Sequence, residues 1–87
     1  MHRNVARAYD CLQAEHARIR AECIKILAQN DRAVERHLLR ADLSSPRHHD
    51  EILLHEERLS RPQLRRVLEL NRYGRKVERI MDALLRL

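Results

Sequence analysis

Residues 5–41, VARAYDCLQAEHARIRAECIKILAQNDRAVERHLLRA, read as one long helix that is apolar on two separate sides. Val5, Leu12, Ile19, Ile26 and Ala33 recur every seventh residue, and Tyr9, His16, Cys23, Asn30 and His37 follow each of them by four. This alternating spacing is that of a helix–helix seam. A second stripe, Ala14, Ala17, Ala21, Ile24 and Ala28, repeats at three and four residues on the far side. A helix apolar on two sides needs two partners, and the rest of the chain is read as the material that supplies one of them.

Asn4 offers a side-chain oxygen for the first free amides of that helix. No Gly or Pro occurs before Pro46, so the helix is expected to run over about 4–42. Leu43-Ser44-Ser45-Pro46 is the clearest break, with Ser45 as cap and Pro46 at the first helical position, where its missing N–H costs nothing. A second helix is expected over about 46–59, carrying Ile52, Leu53, Leu54 and Leu59. Ser60-Arg61-Pro62-Gln63 has the form of a capping box and opens a third helix over about 61–86. With no loop residues between them, the second and third helices are alternatively one helix kinked at Pro62. Leu70, Tyr73, Val77, Ile80, Leu84 and Leu87 form the stripe of the third helix. Gly74 beside it signals either a close backbone approach or a plain propensity defect. The fold class is therefore all-α, a single domain over residues 1–87, built as a long antiparallel helical hairpin or a three-helix bundle.

Eighty-seven residues without a Phe or a Trp make a small core of aliphatic side chains. Each large one, fully buried, stabilises by roughly 1.5–3 kcal/mol, which leaves a domain of this size near the margin and makes association a common remedy. The N-terminal residues lead straight into charged helix, so neither a signal peptide nor a membrane span is expected. Cys11 and Cys23, twelve residues apart on one helix, stand about 18 Å apart and cannot pair within the chain. Two such thiols point to the cytoplasm or another reducing compartment. An intermolecular disulfide through Cys11 is the alternative.

The net charge of +5 is unevenly spread. From residue 58 onward nine Arg or Lys face Glu69, Glu78 and Asp82, a surplus of six, so residues 1–57 sum to −1. At 100° per residue, Arg61, Arg65, Arg72, Arg75, Lys76, Arg79 and Arg86 gather in one arc opposite the Leu70/Val77/Leu84 stripe. Arginine suits bidentate pairing with phosphate or carboxylate, so this face is a candidate for nucleic-acid or phosphate binding. Against that, every amphipathic helix has a charged solvated face, and no Phe or Trp is present to stack on bases.

His48, Glu51 and His55 share a helical face, but their spacing leaves the two imidazoles two turns apart, and no H-E-x-x-H occurs; no metal site and no cofactor are expected. His16, Cys23, Asn30 and His37 are polar entries in an apolar seam, where a lone Asn can set register and a His can sense pH. Arg36 and Arg66 fall near apolar arcs, pointing into the core or snorkelling past its edge. Glycine-rich phosphate loops, nucleophile elbows and CxxC pairs are all missing, so an enzyme is not expected. The sequence reads best as a non-enzymatic protein–protein interaction module (an adaptor, small chaperone, inhibitor or peripheral subunit) acting through exposed helix faces. Its interface is expected on Val5, Tyr9, Leu12, His16, Ile19, Cys23, Ile26 and Asn30. The partner is a second copy or a heterologous protein, with nucleic acid on the basic face as the alternative and no membrane involved.

Overall fold

A computed structural model of the chain describes residues 3–42 and 45–87, and all the regular structure among them is helical. There are four helices among these residues: α1 (Arg3–Ala28), α2 (Arg32–Arg40), α3 (Pro46–Glu56) and α4 (Arg61–Leu85). The single helix expected over 4–42 is therefore two. Asn4 lies inside α1 rather than capping it. Part of the expected break at Leu43-Ser44-Ser45-Pro46, namely residues 43 and 44, lies outside the described residues.

The first helix stops at Ala28 because Gln29 and Asn30 both turn left-handed, with φ of 50° and 69°. For an L-residue this conformation costs roughly 1–2 kcal/mol, less for Asn. Asp31 then starts α2 afresh: its carboxylate accepts from the N–H groups of Ala33 and Val34 at 3.0 and 3.3 Å. The reversal folds α2 back along α1, so that Arg20 Nη2 donates to Ala41 O at 2.9 Å. In one continuous helix Leu38 would stand about 16 Å from Leu27. Folded back, Leu38 packs against Ile24 and Leu27, all three buried, with Val34, Ile52 and Leu59 around them. Burying such side chains at roughly 1.5–3 kcal/mol each outweighs two left-handed residues.

Pro46 opens α3 at its first position, as the sequence suggests, although the Ser45 side chain makes no capping bond. The helix ends at Glu56. Arg58 and Leu59 bond back to His55 and Glu56 in a turn, and Gln29 Nε2 donates to Arg58 O at 2.9 Å, tying that turn to the end of α1. Ser60 is extended and forms the complete capping box with Gln63, so α3 and α4 are separate helices rather than one kinked rod.

From there α4 runs back along α1, antiparallel to it. His16 faces Glu78, Ile19 faces Gly74 and Cys23 faces Asn71, so position rises on one helix as it falls on the other. Ile19, Cys23, Leu70 and Val77 form the buried core of this pair, flanked by Leu12, Ile26 and Met81. A Cβ placed on Gly74 would meet only Ile19 Cγ2, at 3.6 Å. That is ordinary contact, so the glycine marks a propensity defect and not a close backbone approach. The extents, 44 × 24 × 22 Å, are those of a rod set by α1. α1 is the hub: α2, α3 and α4 all pack on it and only weakly on one another.

Candidate functional site

The seam expected on the first helix divides at its middle. Ile19 and Cys23 are buried against α4 within the chain, and Ile26 is half-buried there. Val5, Tyr9, Leu12 and His16 are only half-buried, and Asn30 is an exposed residue of the α1–α2 turn, outside any seam. The alanine stripe divides as well: Ala14, Ala17 and Ala21 are exposed, while Ile24 and Ala28 are buried. Among the described residues α1 has no buried side chain before Ile19, and α4 has none after Val77. The cause is geometric. The end of α2 reaches α1 at Arg20 and the exit of α3 is tied at Gln29, so both lie along the C-terminal half of α1.

The opposite half of the rod is a bare helix pair. Its apolar content is substantial: Val5, Tyr9 and Leu12 on α1, with Ile80, Met81 and Leu84 on α4 and Leu87 just beyond it. Along α4, Tyr73, Ile80 and Leu87 follow one another at seven-residue intervals on one line, and remain 46, 51 and 84% exposed. Of the stripe read from the sequence, then, Leu70 and Val77 are core, Leu84 is half-buried, and these three are surface. A two-helix layer cannot cover its own seam from both sides, and that physical fact leaves this end open.

The seven residues of the basic arc, Arg61, Arg65, Arg72, Arg75, Lys76, Arg79 and Arg86, are all exposed. None takes part in a salt bridge among the described residues, whereas Arg18 and Arg66, off that arc, do. Arg18 pairs with Glu15 and, at 3.3 Å, with Glu22, and Arg66 Nη2 reaches Glu22 Oε1 at 2.9 Å, linking α4 to α1. Arg66 and Arg36 are exposed, so neither is an inward arginine. The hydrogen bond from Arg18 holds the Glu15 carboxyl below its usual value.

Cys23 Sγ lies 3.8 Å from Asn71 Oδ1, and burial, reinforced by the charge of Glu22, pushes its thiol up to about 11. This is the opposite of an activated nucleophile. His16 pairs instead with Glu78, Nε2 to Oε1 at 2.8 Å. Cys11 is exposed and Cys23 buried, and both are free thiols. Between α3 and α4 runs a groove of about 670 Å³, floored by Ile19, Cys23, Ile24 and Leu27 and rimmed by His49, Glu56 and Arg75.

A polar cluster joins α2 to α3. His37 Nε2 stands 2.8 Å from Glu51 Oε1, and His48 Nδ1 stands 3.4 Å from Glu51 Oε2. The two imidazoles meet edge-on, with centroids 6.3 Å apart at 65°. Partial desolvation pushes the Glu51 carboxyl up, but the His48 hydrogen bond, the charge of His37 and the bond from His37 outweigh it, and the net shift is downward. The cluster is not the one spaced in the sequence: His55 is outside it, and His37 of α2 takes its place. A linear reading misses His37 because the α1–α2 reversal brings it here. The Asn30-Asp31 pair, a left-handed residue followed by a cap, is the local signal of that reversal.

No helix among the described residues is long and apolar enough to cross a membrane. No protein family, curated protein or solved structure matches the chain.

Proposed function

We propose that the chain is a non-enzymatic protein–protein interaction module whose open end, Val5, Tyr9, Leu12, Ile80, Leu84 and Leu87, is covered by helices of another chain. One observation carries this reading: residues 3–18 and 78–87 bury no side chain completely despite their apolar content. A second copy is the simplest partner. Two such helix pairs laid face to face make a four-helix layer, and a two-fold axis lets the same patch serve both sides. The raised thiol of Cys23 and its distance along α1 from His16 support a role without covalent catalysis.

Light scattering across a concentration series tests the reading, with hydrogen exchange as a second measurement. The expected result is a mass of twice 10.4 kDa that falls to the monomer in Ile80→Asp but not in Leu54→Asp, a change at an exposed leucine of α3. A stable monomer at all concentrations, with amides of 3–18 as protected as those of 19–28, would sink the idea that this end needs covering.

A second reading rests on a separate observation, the exposed basic arc of six residues of α4 and Arg86 at its C-cap, which form no salt bridge among the described residues. Such a face can track phosphates. It predicts affinity for nucleic acid that falls steeply with salt, with a logarithmic slope of about −0.9 per phosphate neutralised on duplex DNA. Reversing Arg65, Arg72 and Arg79 to Glu then abolishes binding with helicity intact; retained binding refutes it.

A further inference from the structure

The cluster of His37, His48 and Glu51 combines two imidazoles and a carboxylate, a donor set suited to a borderline divalent ion such as zinc. One nitrogen or oxygen from each side chain lies within 4.8 Å of the others, and both histidines already turn a nitrogen toward the same carboxylate. Tetrahedral zinc, with bonds of about 2.0–2.1 Å, holds its ligands roughly 3.4 Å apart. The His48–Glu51 separation of 3.4 Å matches that spacing, and the His37–Glu51 separation of 2.8 Å is within reach of it by rotation of partly exposed side chains. Among the described residues no other three His, Cys, Asp or Glu side chains meet in this way.

The placement also gives the ion something to do. α2 and α3 pack on α1 and share little backbone contact with each other. The described side chains linking them through polar atoms are these three. We propose that His37, His48 and Glu51 form a zinc site that clamps α2 to α3, with water completing a four-coordinate shell. His48 and Glu51, one helical turn apart on α3, supply two ligands from a rigid element, and His37 supplies the third across the gap. Three protein ligands and a water also describe catalytic zinc sites, but this cluster is not among the residues lining the groove, and its assigned part is structural.

The test uses the purified full chain with zinc chloride alone, measured by competition with a chromogenic chelator and by native mass spectrometry. One zinc per chain is expected, together with a rise in Tm and, with cobalt(II) instead, the intense visible bands of a four-coordinate ion. His37→Gln and Glu51→Gln should each weaken binding at least about tenfold and remove the Tm rise, with far-UV circular dichroism unchanged. His55→Gln should leave binding intact, which separates this site from the His48/Glu51/His55 face. Absence of uptake at micromolar zinc overturns the proposal. So does uptake that survives His37→Gln, or that His55→Gln reduces as much.

Discussion

Replacing Gly74 by Ala should stabilise the protein by about 1–2 kcal/mol. Gly74 is buried in the middle of α4 and has no positive φ, so the backbone already suits an L-residue. The added Cβ meets Ile19 Cγ2 at 3.6 Å, an ordinary van der Waals distance that requires no movement of α1. Two gains follow. Glycine costs a helix interior roughly 0.8–1.0 kcal/mol relative to alanine, mostly through the freedom of the unfolded chain. Burying one methyl adds up to about 0.8 kcal/mol, less where the groove leaves one side open. For a domain of this size each kcal/mol moves Tm by roughly 4–8 °C, so a rise of at least about 4 °C is expected. Urea unfolding followed by far-UV circular dichroism measures it, with the slope unchanged and the midpoint raised. A lowered midpoint would refute the reasoning, because it would mean that α1 and α4 approach more closely than the Ile19–Gly74 contact allows.

Asp31→Ala removes the cap that restarts α2 and should cost about 0.5–2 kcal/mol in the same urea experiment, while Asp31→Asn, which keeps an acceptor, should cost less. A thiol reagent at neutral pH should titrate Cys11 rapidly in the native protein and Cys23 only after denaturant is added; two fast thiols would contradict the burial of Cys23. The raised Cys23 value has a pH consequence. The folded state holds this proton more tightly than the unfolded chain, so its contribution is fully present below the ordinary value of 9.0 and is lost as pH rises toward about 11. The loss is read as the difference between the wild type and Cys23→Ala across that window. Equal alkaline destabilisation of the two proteins would place the cause elsewhere.

What the sequence discloses about this fold is its local chemistry. The Ser60–Gln63 box and Pro46 at a helix start are legible because each depends on residues within one turn. The antiparallel pairing of Ile19 and Cys23 with Leu70 and Val77 follows from two apolar stripes of similar length. The end of α1 is not legible in the same way. Gln29 is no usual left-handed residue, and its φ is set by the burial of Leu38 on Ile24 and Leu27, a contact that exists only once the chain has turned. The same reversal decides the candidate sites. It brings His37 to Glu51, and it keeps α2 on the C-terminal half of α1, so that Tyr73, Ile80 and Leu87 belong to the surface although their period is that of a core.

The hub position of α1 has a consequence for how the protein is made. Every other helix finds its main contact on α1, and its largest partner, α4, is completed 57 residues after α1 ends, at Leu85 against Ala28. At roughly 5–20 residues per second, about 3–11 s separate the two during translation. For that interval the helix that emerges first has Leu12, Ile19 and Cys23 without their cover, and α2 can shield only its Ile24/Leu27 side. A nascent chain of this design meets the chaperones of the ribosome exit as an incomplete surface, and ribosome profiling with selective capture would find its engagement confined to lengths before α4 has cleared the tunnel.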